Sequence, residues 1–225
     1  MIDIRIIASG SSGNCYLIKD SDKKILIDPG IQFKRIQKAL DFDVTGLDFV
    51  LLSHEHKDHS HAVFDIIKHG VRVLTSDGTA NALGIAHTRL VSETEGGFSG
   101  WKVLPFRTHH DAIEPLGFLI LSPSGSKIFY ATDTYYISYK FSGITHYMIE
   151  CNYSKDLLEK NTDLPNNVKC RIITSHFELE NVKDFFRHQD LSQTIAIYLL
   201  HLSDSNSDQE RFIREIQQVT GKPVY

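Results

Sequence analysis

The segment His54-Glu55-His56-Lys57-Asp58-His59 constrains this chain more than any other. It puts three imidazoles and a carboxylate of ligand type within six residues, directly after the apolar run Phe49-Val50-Leu51-Leu52-Ser53. That run reads as a strand buried on both faces, as in a layered α/β protein. Side chains at the end of such a strand are held by rigid structure, and in an extended stretch His54 and His56 point the same way. Asp58 and His59 come after the chain turns toward the next helix, so they reach a neighbouring position. The donor set suits a borderline divalent cation such as zinc. A surface histidine cluster is the plain alternative, and the apolar strand in front of it argues against that reading.

A two-metal site needs more donors than one loop supplies, and the later sequence offers them in equivalent places. His109 and His110 follow the strand pattern Lys102 to Thr108, Asp133 follows Ile128 to Ala131, and His201 follows Ile195 to Leu200. A carboxylate such as Asp133 can bridge two cations about 3.5–4 Å apart, the spacing used in two-metal hydrolysis. The chain holds 12 histidines. Of the rest, His61 is expected to solvate a helix start, and His69, His87, His146 and His188 to be structural or exposed.

Short strand patterns run through the whole length: Asp3 to Ala8, Cys15 to Lys19, Lys24 to Asp28, Val71 to Thr75, three between Trp101 and Ala131, Tyr147 to Cys151, Arg171 to Thr174 and Ile195 to Leu200. Helical spacing appears over 31–40, 62–68, 178–188 and 209–219. With 225 residues and no dividing linker, one α/β domain with two sheets over 1–225 is the simplest account. A hydrophobic content of 41% excludes intrinsic disorder. No apolar stretch approaches the roughly 20 residues of a membrane span, so no membrane partner is expected. The start has no export signal, and a cytoplasmic location is the default. The odd, widely spaced Cys15, Cys151 and Cys170 are expected to be buried reduced thiols. A formal charge of −4 implies no general polyanion-binding surface and leaves room for a local basic rim.

Ser53 to His59 resembles the signature of the metallo-β-lactamase-fold hydrolases, and the resemblance extends over nearly the whole chain. Leu26-Ile27-Asp28-Pro29-Gly30 resembles that family's first motif, Ala131-Thr132-Asp133-Thr134 its bridging-aspartate motif, and His201 its last histidine. Three segments, Ser9 to Cys15, His110 to Pro115 and His201 to Asn206, resemble the small YycJ (WalJ)-type branch. The resemblance implies a four-layer αββα sandwich, an α/β (α+β) fold with metals at one edge. It assigns His54, His56 and His110 to one divalent ion and Asp58, His59 and His201 to the other, with Asp133 shared. His110 is preferred to His109 because the branch places an aspartate, here Asp111, directly after its ligand. Asp28 would orient a ligand imidazole. Antibiotic-cleaving members generally lack the histidine at the place of His59 and add a cysteine; flavodiiron members replace the histidine at the place of His56. Both are disfavoured, and two Zn2+ or Mn2+ ions are the expected cofactors.

Two such ions acidify a shared water to hydroxide and neutralise charge on a phosphoryl oxygen. Asp58 would also orient the nucleophile. His176 is the candidate for gripping phosphate or protonating the leaving group, although Ser175 and Phe177-Glu178 depart from the branch's Gly-His-Leu-Ser. The loop Ser9 to Asn14 can offer N–H groups to a phosphate or serve only as a tight turn. Asn14 and Asn206 are weaker candidates for the substrate rim, and Ser207 stands where the branch usually has a second asparagine. The branch implies a phosphodiesterase acting on nucleic acid as a nuclease, with salt-sensitive binding. A phosphodiesterase for small cyclic nucleotides, like the phage anti-Pycsar enzymes, is the second expectation, and a non-catalytic, metal-stabilised regulator the third. A homodimer is compatible with all three.

Overall fold

The computed structural model describes residues 2–225, and backbone contacts divide the chain into two compact units. The first comprises residues up to Arg107 together with Ala112–Ser126; the second comprises Thr108–Asp111 and Lys127–Tyr225.

In the first unit, β1 (Ile2–Ala8), β2 (Cys15–Asp20), β3 (Lys23–Ile27), β4 (Phe49–Leu51), β5 (Val73–Thr75) and β6 (Thr88–Arg89) form one sheet in chain order. The pairs β1–β2 and β2–β3 are antiparallel, and from β3 onward the pairing is parallel. Helices α1 (Phe33–Ala39), α2 (Lys57–Ser60), α3 (Val63–Lys68) and α4 (Asp77–Leu83) fill the crossovers that parallel strands require. Leu17, Leu26, Val50 and Val73 of the sheet pack with Ile36, Leu40, Val63 and Ile66 in one buried cluster. Each such side chain contributes about 1.5–3 kcal/mol by leaving water. β7 (Gly96–Phe98), β8 (Trp101–Arg107) and β9 (Leu116–Leu121) add an antiparallel meander.

The second unit is built on the parallel strands β10 (Lys127–Ala131), β11 (His146–Glu150) and β12 (Ala196–Leu200). Its helices are α5 (Lys155–Lys160), α6 (Asn166–Ser175), α7 (Leu179–Arg187) and α8 (Gln209–Thr220). Leu179, Val182, Phe185 and Phe186 form the buried face of α7, with the Phe186 ring 5.2 Å from that of Tyr147 on β11. Glu178 caps α7 by accepting from the Glu180 and Asn181 N–H groups, and Asp208 caps α8 by accepting from Arg211.

Two sequence expectations are corrected. Arg171 to Thr174 is not a strand but the last part of α6. A short β-branched run cannot by itself be told from a helix segment, and Pro165, at the N-cap, starts a ten-residue helix here. On that helix Cys170 is exposed rather than buried, whereas Cys15 and Cys151 are buried; all three are free thiols. Among the described residues, no helix is long and apolar enough to cross a membrane.

Parallel pairing positions the chemistry. Ile27 of β3 lies opposite Leu51 of β4, so Asp28 and the His54–His59 segment leave the sheet at one edge. In the second unit Ala131 pairs with Ile149 and Glu150 with Leu200, so Asp133, Glu150 and His201 also leave at one edge. The carboxyl ends of parallel strands are where α/β proteins place their ligands.

Candidate metal centre

The donors of the first unit are organised by a buried carboxylate. Asp28 follows β3 with a left-handed backbone (φ 52°), a conformation costing an L-residue about 1–2 kcal/mol. The turn directs its carboxylate onto the next loop, where it accepts hydrogen bonds from Ser53 N (2.8 Å) and Ser53 Oγ (2.8 Å). It also lies 2.9 Å from His59 Nδ1. An N–H held at Nδ1 leaves the Nε2 lone pair of His59 as the donor. That Nε2 is 3.4 Å from Asp58 Oδ2 and 3.0 Å from Asn14 Nδ2. The His54 ring lies 4.8 Å from that of His56 and 4.2 Å from that of His59.

Local sequence explains why the loop closes this way. The Asp58 carbonyl packs so tightly on Gly30 that any Cβ there would overlap backbone atoms. The same carbonyl accepts from Asn14 N at 2.7 Å, and Asn14 O accepts from Gly30 N at 2.8 Å. Asn14 is fully buried, and its side chain bonds Gly10 N and Tyr16 Oη, which fixes its amide beside His59. His61 is exposed.

The second unit carries an independent donor group. Asp133 (φ 48°) and His201 (φ 52°) are both buried and share the left-handed backbone seen at Asp28. His201 Nδ1 lies 2.7 Å from Asp133 Oδ1 and 3.0 Å from Glu150 Oε1. Asn152 Nδ2 donates to the His201 carbonyl at 2.7 Å, pinning the bend after β12. His176, at the C-cap of α6, puts Nδ1 2.7 Å from Glu150 Oε1. His110 puts Nε2 3.4 Å from Asp133 Oδ2, with its side chain 2% exposed, while Nδ1 lies 3.2 Å from the Ser175 carbonyl. His109 is exposed and turns its ring to Tyr135 and Tyr136 instead. Asn206 is buried, its Oδ1 accepting from Asn161 and its Nδ2 donating to Ser203.

Glu150 is the residue the sequence analysis missed. It is fully buried, and besides the two imidazoles it accepts from the backbone N–H groups of Thr134 (2.9 Å) and Phe177 (3.2 Å). The available signal was a lone acid closing the apolar stretch Tyr147-Met148-Ile149, at the strand end equivalent to those of Asp133 and His201.

The electrostatics follow from that crowding. Burial alone would lower the His201 imidazole, but the Asp133 and Glu150 carboxylates reverse this and push it up to about 10. His176 is raised too, with burial opposed by Glu150. For His110 burial prevails over the carboxylates, and its affinity for protons falls. Burial would raise Glu150, yet His176 and His201 hold it below the usual carboxylate range. Cys15 and Cys151 are pushed far up by burial, so neither thiol is a ready nucleophile or ligand.

Two buried carboxylates side by side need cationic partners, a part that the His176 and His201 imidazoliums fill and that a bound metal can take over. Asp133, Glu150, His176 and His201 each offer a ligand atom within 4.8 Å of the others. Imidazole and carboxylate donors without thiolate fit Zn2+ or Mn2+. The group is therefore able to hold a divalent metal.

Residues 8–117 match the metallo-beta-lactamase superfamily. Over 226 residues the chain is 30% identical to the exodeoxyribonuclease WalJ of Streptococcus pneumoniae serotype 2, spanning 91% of this chain and 83% of that protein. It is 26% identical over 232 residues to the exodeoxyribonuclease YycJ of Bacillus anthracis, spanning 95% and 87%. Among solved structures, the metallo-beta-lactamase fold protein YhfI from Bacillus subtilis aligns with a TM-score of 0.76 at 15% identity, over 100% of this chain and 95% of that one. The fold is thus the metallo-beta-lactamase fold, two mixed sheets flanked by helices, and the protein is a metal-dependent hydrolase. The chain belongs to the metallo-beta-lactamase superfamily, in the branch that contains WalJ and YycJ.

Proposed function

We propose that residues 1–225 work as one hydrolase domain, a dinuclear phosphodiesterase that cleaves nucleic acid, with DNA as the substrate. In this reading His54, His56 and His110 hold one ion, Asp58, His59 and His201 the other, and Asp133 is shared. The observation that carries it is the donor group at the edge of β10–β12, where Asp133 and His201 are held in strained backbone beside Glu150. The names of the two relatives, both exodeoxyribonucleases, supply the substrate class.

Bound divalent ions would contribute Lewis acidity and an acidified water. The chain's own groups do the rest. Asp28 fixes the His59 ring, and Glu150 fixes His176 and His201, so that donors need no reorganisation. Asp58 is partly exposed at the loop surface, which suits it to orient the nucleophile as well as to bind. His176, raised by Glu150 and part-exposed, would hold a proton at Nε2 for the departing oxygen or grip a phosphoryl oxygen. Asn14 steadies His59 from the other side, while Asn206 braces its loop. The setting in this reading is the cytoplasm, and a homodimer remains compatible with it.

The test combines metal analysis with a substrate panel. Purified protein should contain close to two Zn2+ or Mn2+ per chain and degrade DNA, and Asp133→Ala should abolish cleavage. Turnover of cyclic mononucleotides with polymer left intact would move the assignment to the small-substrate enzyme. A metal-loaded protein inert toward both would be a regulator.

A further inference from the structure

The segment after Asp133, Thr134-Tyr135-Tyr136-Ile137-Ser138-Tyr139-Lys140, is aromatic, and it is tied to the donor group by its backbone. Thr134 is fully buried; its N–H donates to Glu150 Oε2 at 2.9 Å, and its Oγ1 donates to the Tyr136 carbonyl at 2.8 Å. The same Oγ1 accepts from His109 N at 2.9 Å, and Tyr135 N donates to the His109 carbonyl at 3.3 Å. With the backbone anchored in this way, the two rings are turned outward, Tyr135 42% and Tyr136 53% exposed. The His109 ring stands 5.5 Å and 5.9 Å from them. Large apolar rings held in solvent beside a reaction centre are costly unless something covers them.

What they border is a cleft of about 470 Å³ within the second unit. Tyr135, Tyr136 and Tyr139 line it together with Phe177 and Phe185, and Lys140 adds a cation. The acid on the lining, Asp184, lies 3.8 Å from the ring of His188, which also lines the cleft. Flat rings with polar tips beside a lysine are the features that take a nucleobase face and its phosphate, rather than an aliphatic chain. The volume is in the range of small-molecule sites, about 300–1,000 Å³. Inside a duplex each base face is covered by its neighbours, so a stacking cleft is useful only to bases that have left the helix.

We propose that this cleft is a stacking site for unpaired bases of a DNA strand whose backbone is cut beside Asp133. The inference rests on the nuclease reading and adds that the strand entering the site is single-stranded there. Tyr135 and Tyr136 are the stacking rings, and Lys140 faces the adjoining phosphate.

The test uses the full chain and a short, cleavage-resistant phosphorothioate DNA strand carrying 2-aminopurine, whose fluorescence falls on stacking. Binding to the unaltered protein should quench it. The pair Tyr135→Ala, Tyr136→Ala should abolish the quenching and weaken binding about 5- to 150-fold per stacked base lost. The pair Tyr135→Phe, Tyr136→Phe should retain both properties. Circular dichroism and metal content verify that each variant is folded. No quenching by the unaltered protein, unchanged affinity of the alanine pair, or equal affinity for duplex or RNA would each overturn the proposal. A chain that cuts DNA without tyrosine-dependent quenching loses the cleft and keeps the nuclease assignment. One that stacks unpaired DNA on the tyrosines and cuts no nucleic acid keeps the cleft and loses that assignment.

Discussion

The two donor groups reach similar chemistry by different routes. In the first unit nearly all donors come from six consecutive residues, and the structural work is local: Asp28 and Ser53 set the His59 ring, and Gly30 makes room for the Asp58 carbonyl. In the second unit His110, Asp133, Glu150, His176 and His201 come from five separate segments; the register of three parallel strands and the end of one helix place four of them, and His110 is tied to that helix end through the Ser175 carbonyl. A contiguous motif depends on how one loop is folded, whereas a distributed one depends on the packing of the whole unit. Each group nonetheless uses a buried carboxylate that orients imidazoles, Asp28 in one and Glu150 in the other.

The largest effect is expected where the distributed group converges. Glu150→Ala leaves His176 and two backbone N–H groups without their acceptor in a buried place. Removing one partner of a buried charged network costs about 3–5 kcal/mol. Chemical denaturation should show that loss, with activity gone as well. A stability within 1 kcal/mol of the unaltered protein, on the scale of an ordinary surface change, would mean that the second unit does not depend on this carboxylate.

Gly30→Ala makes the corresponding break in the first unit. Its Cβ would meet the backbone of Asp58 and Asn14, which no side-chain rotation relieves. Overpacking of this kind costs about 1–3 kcal/mol. Because the displaced atoms belong to the donor loop, the variant should bind metal more weakly, and His54–His59 should gain hydrogen-exchange rate more than β10–β12 does. Equal loosening of both regions would erase the contrast between a loop motif and a distributed one.

Legibility in the sequence follows the same division. The six-residue cluster could be read because spacing within a loop carries its own geometry, and the strand-end positions of Asp133 and His201 because an apolar run marks where a strand stops. Glu150 stayed hidden because it closes a strand without any motif around it, and only the pairing of β11 with β10 and β12 shows which edge it faces. His109 and His110 are adjacent in sequence and differ only in which way the backbone turns, which Thr134 and Ser175 settle by hydrogen bonds from far along the chain. The misread strand at Arg171 to Thr174 has a related cause: three β-branched positions, Ile172, Ile173 and Thr174, fit either element until the helix that follows Pro165 is known.

A milder change separates orientation from packing. Asp28 accepts three hydrogen bonds with two oxygens, and an amide in its place keeps only one oxygen, turning a donor toward Ser53 or His59. Asp28→Asn should leave the fold in place and weaken metal binding about 10- to 100-fold, the usual effect of losing a carboxylate behind a ligand histidine. Competition with a chelator of known affinity measures this directly. A change below threefold would show that the loop holds His59 without the carboxylate, so that Asp28 serves the turn after β3 alone.

The smallest effect belongs to a residue near the second group that takes no part in it. Cys170 is exposed on α6, the helix capped by His176, and among the described residues its thiol is free. Cys170→Ser should shift stability by no more than about 0.5 kcal/mol, as surface substitutions do. Metal content and cleavage should be unchanged. A loss of either would mean that α6 transmits changes on its outer face to His176, and the second group would then depend on that helix as strongly as on its strands.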